Sequence, residues 1–383
     1  MNHDSHRMRK LAFILVFVVA AAVFAADPIG ESLKGRLKPS AQVFLEHHRA
    51  NRRYKNADFP KARSDFERFK ADVVGEFTLG LGLKQWSVHK PNGKLSPIGK
   101  LFEDRVLERR EIHGVPVEVH AVTLEPTGLV VPMVLCLPPG DAKNLPGVCV
   151  FSGHTSHGLR DLVLDLGSYQ QGVAIRLAKA GMASLAVEKI DTGYLSRNGA
   201  KGNDEKEIAT LLLGRELVLR SHQLRACLAA TEILAAHPRV DEKRIGATGV
   251  SLGGWLSVQT AMLNDRIRAV ADFGRKTRTI SENMTATAYR GQGDLCHIIP
   301  GMLSVCERNI LPLALAPIPM LAGHGVKDTG SHKAHAANYR ELCEKQYETL
   351  GRPDDYRYLV HSGGDTMPSK EVVGWFRAQF GLE

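Results

Sequence analysis

The chain has 383 residues, 44% hydrophobic and 24% charged, which excludes wholesale disorder and collagen-like repeats. Six cysteines in that length exclude a small disulfide scaffold, and without CxxC or paired Cys/His spacing a structural zinc site is not expected. Fifty Lys and Arg against 41 Asp and Glu give a net charge of +9; the densest cluster (Arg49, Arg52, Arg53, Lys55, Lys61, Arg63) is interleaved with Asp58 and Asp65 and reads as a solvated helical face, so no nucleic-acid partner is expected.

Arg7, Arg9 and Lys10 precede an uncharged apolar run from Leu11 to Ala26, with Val23 and Ala25 at −3 and −1 before Ala26. This is the pattern of a secretory signal peptide over residues 1–25, so the processed protein is expected to be secreted or periplasmic. The run is short for a membrane span of about 20 residues. No later stretch is long enough, so no stable span is expected after cleavage; a retained N-terminal anchor is the alternative.

Residues 26–105 read as an N-terminal helical extension, with helical composition over Ala41–Arg53 and Lys61–Phe77 and no strand alternation. From residue 106 to 383 short β-rich runs alternate with helices. The predicted strands are Val115–Leu124, Val131–Leu137, Gly147–Gly153, Ala183–Glu188, Arg244–Val250, Ile267–Phe273, Ile318–His324 and Tyr356–His361. The first two meet through the turn Pro126-Thr127-Gly128 and are expected to be antiparallel. Helices are predicted over Gln171–Gly181, Glu205–His237, Leu252–Leu263, Lys333–Leu350 and Lys370–Phe380. Alternation of this kind means a mostly parallel sheet covered on both faces. Eight strands with an antiparallel start correspond to the α/β-hydrolase fold. Residues 275–317 are too long for a plain connection and are expected to form a lid-like excursion over the strand ends.

The strongest local signal is Gly249-Val250-Ser251-Leu252-Gly253-Gly254, between a predicted strand and a predicted helix. In that context GxSxG is a nucleophile elbow, which holds Ser251 on a sharp turn with its hydroxyl projecting from the sheet edge. A serine hydroxyl needs a base, an orienting carboxylate and an oxyanion hole, in the chain order serine, acid, histidine. The oxyanion donors are expected to be the N–H of Leu252 and the N–H of His154, the latter in Ser152-Gly153-His154-Thr155 after the third strand; the His154 side chain is expected to line the pocket. Asp328, in Gly325-Val326-Lys327-Asp328 after the seventh strand, is the candidate acid, and Asp191 reads as a turn residue. The histidine on the last strand end is His361; His332 and His335 read as helix-start residues.

Residues from about 40 to 383 resemble the secreted α/β-hydrolases of the acetyl xylan esterase and dienelactone hydrolase-like group. The resemblance rests on Pro146–His154, Val240–Gly246, Gly249–Gly254, Cys296–Gly301 and the Asp328 turn. It implies carboxylic ester hydrolysis, often on acylated plant polysaccharide, with no cofactor and no metal. Two positions depart from the family pattern. The oxyanion segment, usually His-Gly-His-Gly, has Ser152 and Thr155 in place of its first His and second Gly. The catalytic histidine usually follows a Gly-Gly pair, whereas Gly363-Gly364 is followed here by Asp365. A carboxylate with a pKa near 4 is a feeble base for a serine and would repel Asp328. Three outcomes stay open: His361 fills the role, the triad is broken and the site repurposed, or another histidine such as His332 or His154 serves.

The sequence therefore points to a serine hydrolase acting on a small-molecule or polysaccharide ester. A pseudohydrolase that binds a glycan or small ligand is one alternative, favoured by Asp365. A prolyl-oligopeptidase-type peptidase is another, disfavoured because residues 26–105 are too few for a propeller. Cys136 and Cys149 are expected to be buried on strands that do not neighbour each other, and pairing of Cys296 with Cys306 is left open.

Overall fold

The computed structural model describes residues 46–47, 50–55, 63–84, 101–197, 202–215, 217–274, 295–328 and 333–382. The predicted signal segment, most of the Ala41–Arg53 helix, the first half of the 275–317 excursion and His332 lie outside them. By contacts the chain divides into residues 1–50 and 51–383. Of the first unit only residues 46, 47 and 50 are described, in helical backbone. No helix among the described residues is long and apolar enough to cross a membrane.

In the second unit, helix α1 (Arg63–Gly80) buries Phe66, Phe69, Val73 and Phe77, spaced so that they share one face of a 3.6-residue repeat. All eight predicted strands form: β2 (Val115–Leu124), β3 (Leu129–Cys136), β4 (Leu145–Phe151), β5 (Ala183–Val187), β6 (Val240–Val250), β7 (Ile267–Phe273), β8 (Met320–Gly325) and β9 (Tyr356–His361). A ninth, β1 (Phe102–Ile112), precedes them and starts inside the segment expected to be helical extension. It turns into β2 at His113-Gly114, both with positive φ, the backbone of a tight two-residue hairpin. Its sequence, FEDRVLERREI, hides the strand because it is charged and mostly exposed.

The sheet order is β1-β2-β3-β5-β4-β6-β7-β8-β9. The pairs β1–β2, β2–β3 and β3–β5 are antiparallel, and every pair from β5–β4 to β8–β9 is parallel. This is the α/β-hydrolase fold. Cys136 on β3 and Cys149 on β4 are separated by β5, as expected. Burial pushes both thiols up to about 12. All six cysteines are free and buried, so Cys296 and Cys306 are not joined.

Helices α2 (Val173–Lys179) and α7 (Ser369–Gln379) cover one face of the sheet with a core around Val148, Ala271, Phe273 and Phe376. The other face carries α1, α4 (Leu219–Ala236), α5 (Leu252–Leu263) and α6 (Lys333–Thr349). The single helix expected over Glu205–His237 is two, α3 (Glu205–Leu213) and α4. Gly214 caps the first, and the burial pattern changes there. On α3 only Ala209 is buried, whereas α4 buries Leu224, Leu228, Thr231 and Leu234. The crossover through α2 lies on one face and the one ending in α4 on the other, so the winding reverses about β4. A crevice then opens at the carboxyl ends of β4 and its neighbours, where ligands bind in such sheets. The described half of the excursion, 295–317, is packed wall: Cys296, Met302, Val305, Cys306 and Ile310 to Ala316 are buried.

Candidate active site

Ser251 joins β6 to α5 with φ 59° and ψ −119°, a conformation L-residues rarely adopt. Its N–H donates to the Phe273 carbonyl on β7 at 2.7 Å, which fixes the turn against the sheet. The flanking glycines are steric requirements. A Cβ at Gly253 would collide with the Phe151 carbonyl at the end of β4, and a Cβ at Gly249 with the backbone of Gly253. The elbow closes only because α5 starts against β4 and β6 with no side chain between them. Its N–H groups then face the crevice with the positive end of the helix dipole.

The segment after β4 lies against this turn. A Cβ at Gly153 would come within 3.2 Å of Ser251 Cβ and 2.5 Å of the Val250 carbonyl. The next residue, His154, is partly exposed. Its Nε2 is 3.0 Å from Glu205 Oε2 and 3.3 Å from Cys296 Sγ. Glu205 opens α3 and is further held by the Cys296 N–H at 3.4 Å and Lys189 Nζ at 3.9 Å. Burial alone would raise the Glu205 pKa, but the hydrogen bond and charge of His154, with Lys189, hold it well below the usual carboxylate range. Lys189 also binds Asp191 Oδ1 at 2.5 Å, and Gln223 Nε2 reaches Asp191 Oδ2 at 3.4 Å. Asp191 is thus a turn residue in its backbone, with φ 95°, and a buried ion-pair partner in its side chain.

Across the pocket, the His297 ring lies 5.9 Å from that of His154 and 6.0 Å from Trp255, one turn along α5 from Ser251. The fully buried Arg220 of α4 donates to the Cys296 carbonyl at 2.8 Å and to His297 Nδ1 at 2.9 Å. Donor atoms of His154, Cys296 and His297 lie within 4.8 Å of one another. Arg220 nevertheless disfavours a metal there, because it adds a cation and keeps the His297 proton on Nε2, whereas a metal-bound histidine normally donates from its other nitrogen.

The expected acid and base are on the other side. Asp328 follows β8, its N–H bonded to Gly325 O at 2.9 Å, and its charge acts on His324 and His361. His361 ends β9. Its ring stands edge-on to Phe273 at 6.0 Å, its Nδ1 accepts the Gly363 N–H at 3.2 Å, and its Nε2 is buried without a hydrogen bond. Burial lowers its pKa, opposed by Glu371 and Asp328. The following loop is fastened by Lys327 N–H to Gly363 O at 2.9 Å and Met367 N–H to Tyr169 O at 2.8 Å. It carries the exposed Asp365, whose Oδ1 and the Val250 methyl both border the space over Gly274. The residue after Gly-Gly therefore approaches the elbow's flank, and that residue is a carboxylate. Among the described residues no imidazole is hydrogen-bonded to Ser251 Oγ.

Sequence reasoning missed Glu205, Arg220 and Lys189. Each sits in a separate segment with no local motif, and only the closing of the sheet brings them together.

The sheet order and the strained serine between β6 and α5 define the chain as an α/β-hydrolase. The acetyl xylan esterase (AXE1) family matches residues 92–274, which hold the elbow and the post-β4 segment and stop before Asp328 and Asp365. The matched stretch is just under half of the chain, which over that stretch is similar to acetyl xylan esterases and as a whole has the α/β-hydrolase fold. It is 23% identical over 164 residues to the hydrolase YtaP of Bacillus subtilis (strain 168), of whose length the match spans about half, 54%, and 43% of this chain. Solved structures share the fold. A candidate acetyl xylan esterase from Bacteroides fragilis has a TM-score of 0.69 at 17% identity, covering 90% of this chain and 96% of its own. A methylesterase, BT1017, reaches 0.62 at 18%, covering 90% and 68%. A glucuronoyl esterase from Solibacter usitatus reaches 0.55 at 13%, covering 80% and 92%.

Proposed function

We propose that the protein hydrolyses carboxylic esters through an acyl-enzyme on Ser251, with acylated polysaccharide as the substrate class. The observation that carries this is the Ser251 backbone. A conformation costing about 1–3 kcal/mol is kept, and glycines clear the space around it, at the carboxyl edge of the sheet. The acetyl xylan esterase family match over the same segment supports the substrate class.

In the first half-reaction Ser251 Oγ attacks the ester carbonyl carbon while an imidazole takes its proton. The carbonyl π pair moves to oxygen, and the N–H groups of Leu252 and His154 bind that oxyanion; one such donor is worth about 3–4 kcal/mol. The alkoxide leaves with the proton returned by the imidazole. Water then repeats the sequence on the acyl-enzyme, releasing the carboxylic acid and restoring Ser251. Catalysis outside the cytoplasm fits the signal-type pattern of residues 1–25.

The test uses p-nitrophenyl acetate and acetylated xylan as substrates and a fluorophosphonate probe as label. Turnover and labelling that both vanish in Ser251→Ala are expected. An unlabelled wild type without turnover would overturn the proposal in favour of a protein that only binds its ligand.

A further inference from the structure

We infer that the base for Ser251 is His154, oriented by Glu205, on the β4–β5 side of the nucleophile and not on the loop after β9. The inference rests on the Ser251 ester-hydrolysis reading and adds the residue that moves its proton.

Among the described residues, the imidazole on the β9 strand end is that of His361. Its Nδ1 is occupied by the Gly363 N–H, and its Nε2 is buried with no hydrogen bond to a carboxylate or to Ser251. Asp365 presents a carboxylate.

His154 has the arrangement of a base with its orienting carboxylate. Nε2 faces Glu205 Oε2 at 3.0 Å, so the Nε2–H tautomer is the one Glu205 selects. That leaves Nδ1, which has no hydrogen-bond partner among the described residues, as the proton acceptor. Glu205 can hold this tautomer because it stays ionised, fastened by the Cys296 N–H and Lys189. Lys189 is in turn paired with Asp191 at 2.5 Å. The imidazole follows Gly153, where a Cβ would come 2.5 Å from the Val250 carbonyl and 3.2 Å from Ser251 Cβ, so His154 starts beside the nucleophile. His297, whose Nδ1 accepts from Arg220, has its ring 5.9 Å from that of His154. In the step, the Ser251 proton moves to His154 Nδ1 as the Oγ–C bond forms, and the same proton moves to the leaving oxygen as the C–O bond breaks. Glu205, a positioning residue, stabilises the imidazolium between the two transfers.

Substitution at 154 leaves the backbone N–H in place, so loss on His154→Ala reports the imidazole alone. The experiment measures fluorophosphonate labelling rate, kcat and KM on p-nitrophenyl acetate for S251A, H154A, H154Q, E205Q, E205D and H361A, each checked for a native circular dichroism spectrum. Expected are a fall of about 10²- to 10⁴-fold in kcat and labelling for both 154 variants. Added imidazole should restore part of the H154A rate, and E205Q should lose kcat at unchanged KM with recovery in E205D. Wild-type labelling in either 154 variant, or a collapse in H361A that imidazole rescues, would overturn the inference while leaving Ser251 as nucleophile. Undiminished turnover in S251A would instead overturn the ester-hydrolysis reading beneath it.

Discussion

Replacing Ser251 by glycine should make the protein more stable than replacing it by alanine. Both substitutions delete the hydroxyl, so their difference isolates the backbone. Alanine keeps a Cβ at φ 59°, ψ −119°, where an L-residue pays about 1–3 kcal/mol. Glycine adopts that region freely but loses about 0.4–1 kcal/mol more conformational entropy on folding. The net expectation is that S251G exceeds S251A by about 0.5–2 kcal/mol. Burial adds little to the difference, because Ser251 is 9% exposed and either residue is smaller than the serine it replaces. Urea unfolding followed by tryptophan fluorescence reads it as a higher midpoint at equal slope. A midpoint for S251G at or below that of S251A would show that the turn is not strained and that its backbone carries no mark of a nucleophile.

Gly253→Ala should destabilise by a few kcal/mol and abolish labelling of Ser251, since its Cβ meets the Phe151 carbonyl and only backbone movement at the elbow can relieve the clash; thermal unfolding and probe labelling check both. The six buried thiols should be silent to Ellman's reagent in the native protein and give six equivalents in denaturant, where four would mean that one pair is oxidised. Glu188, fully buried after β5, has its carboxyl pushed up to about 7 by burial, which outweighs the N–H groups of Tyr194, Leu159 and Lys189 and the Lys189 charge. Its raised pKa favours the folded state fully below about 4.5. That contribution is lost as pH rises toward 7, at about 1.4 kcal/mol per unit. Urea midpoints of wild type should therefore fall across this window more steeply than those of Glu188→Gln; parallel curves would refute the assignment.

Strands and elbow were legible because their signals are local. Short apolar runs bounded by turns gave β2 to β9, and GxSxG at a strand–helix junction gave Ser251. The strand β1 was not legible, since its Glu and Arg residues face water on an outer strand and remove the alternation that marks a half-buried one. The break at Gly214 was hidden because leucines continue across it on α3, where Leu211 and Leu213 are exposed. The His154–Glu205–Lys189–Asp191 network depends on tertiary placement. Its members come from two loops and a helix start, and a lone Glu at position 205 looks like any first-turn acid.

The same outer strand has a bearing on how copies of this protein meet in solution. Among the described residues β1 pairs with β2 alone, so its other side offers backbone groups to any extended chain that approaches. Such a visitor would have to strip water from Arg105, Glu108, Arg110 and Glu111, all exposed. That penalty is how natural sheets refuse further members. A sheet of nine strands thereby ends in a brush of fixed charge, and crowding of the purified protein should end in dispersed molecules, not in fibres.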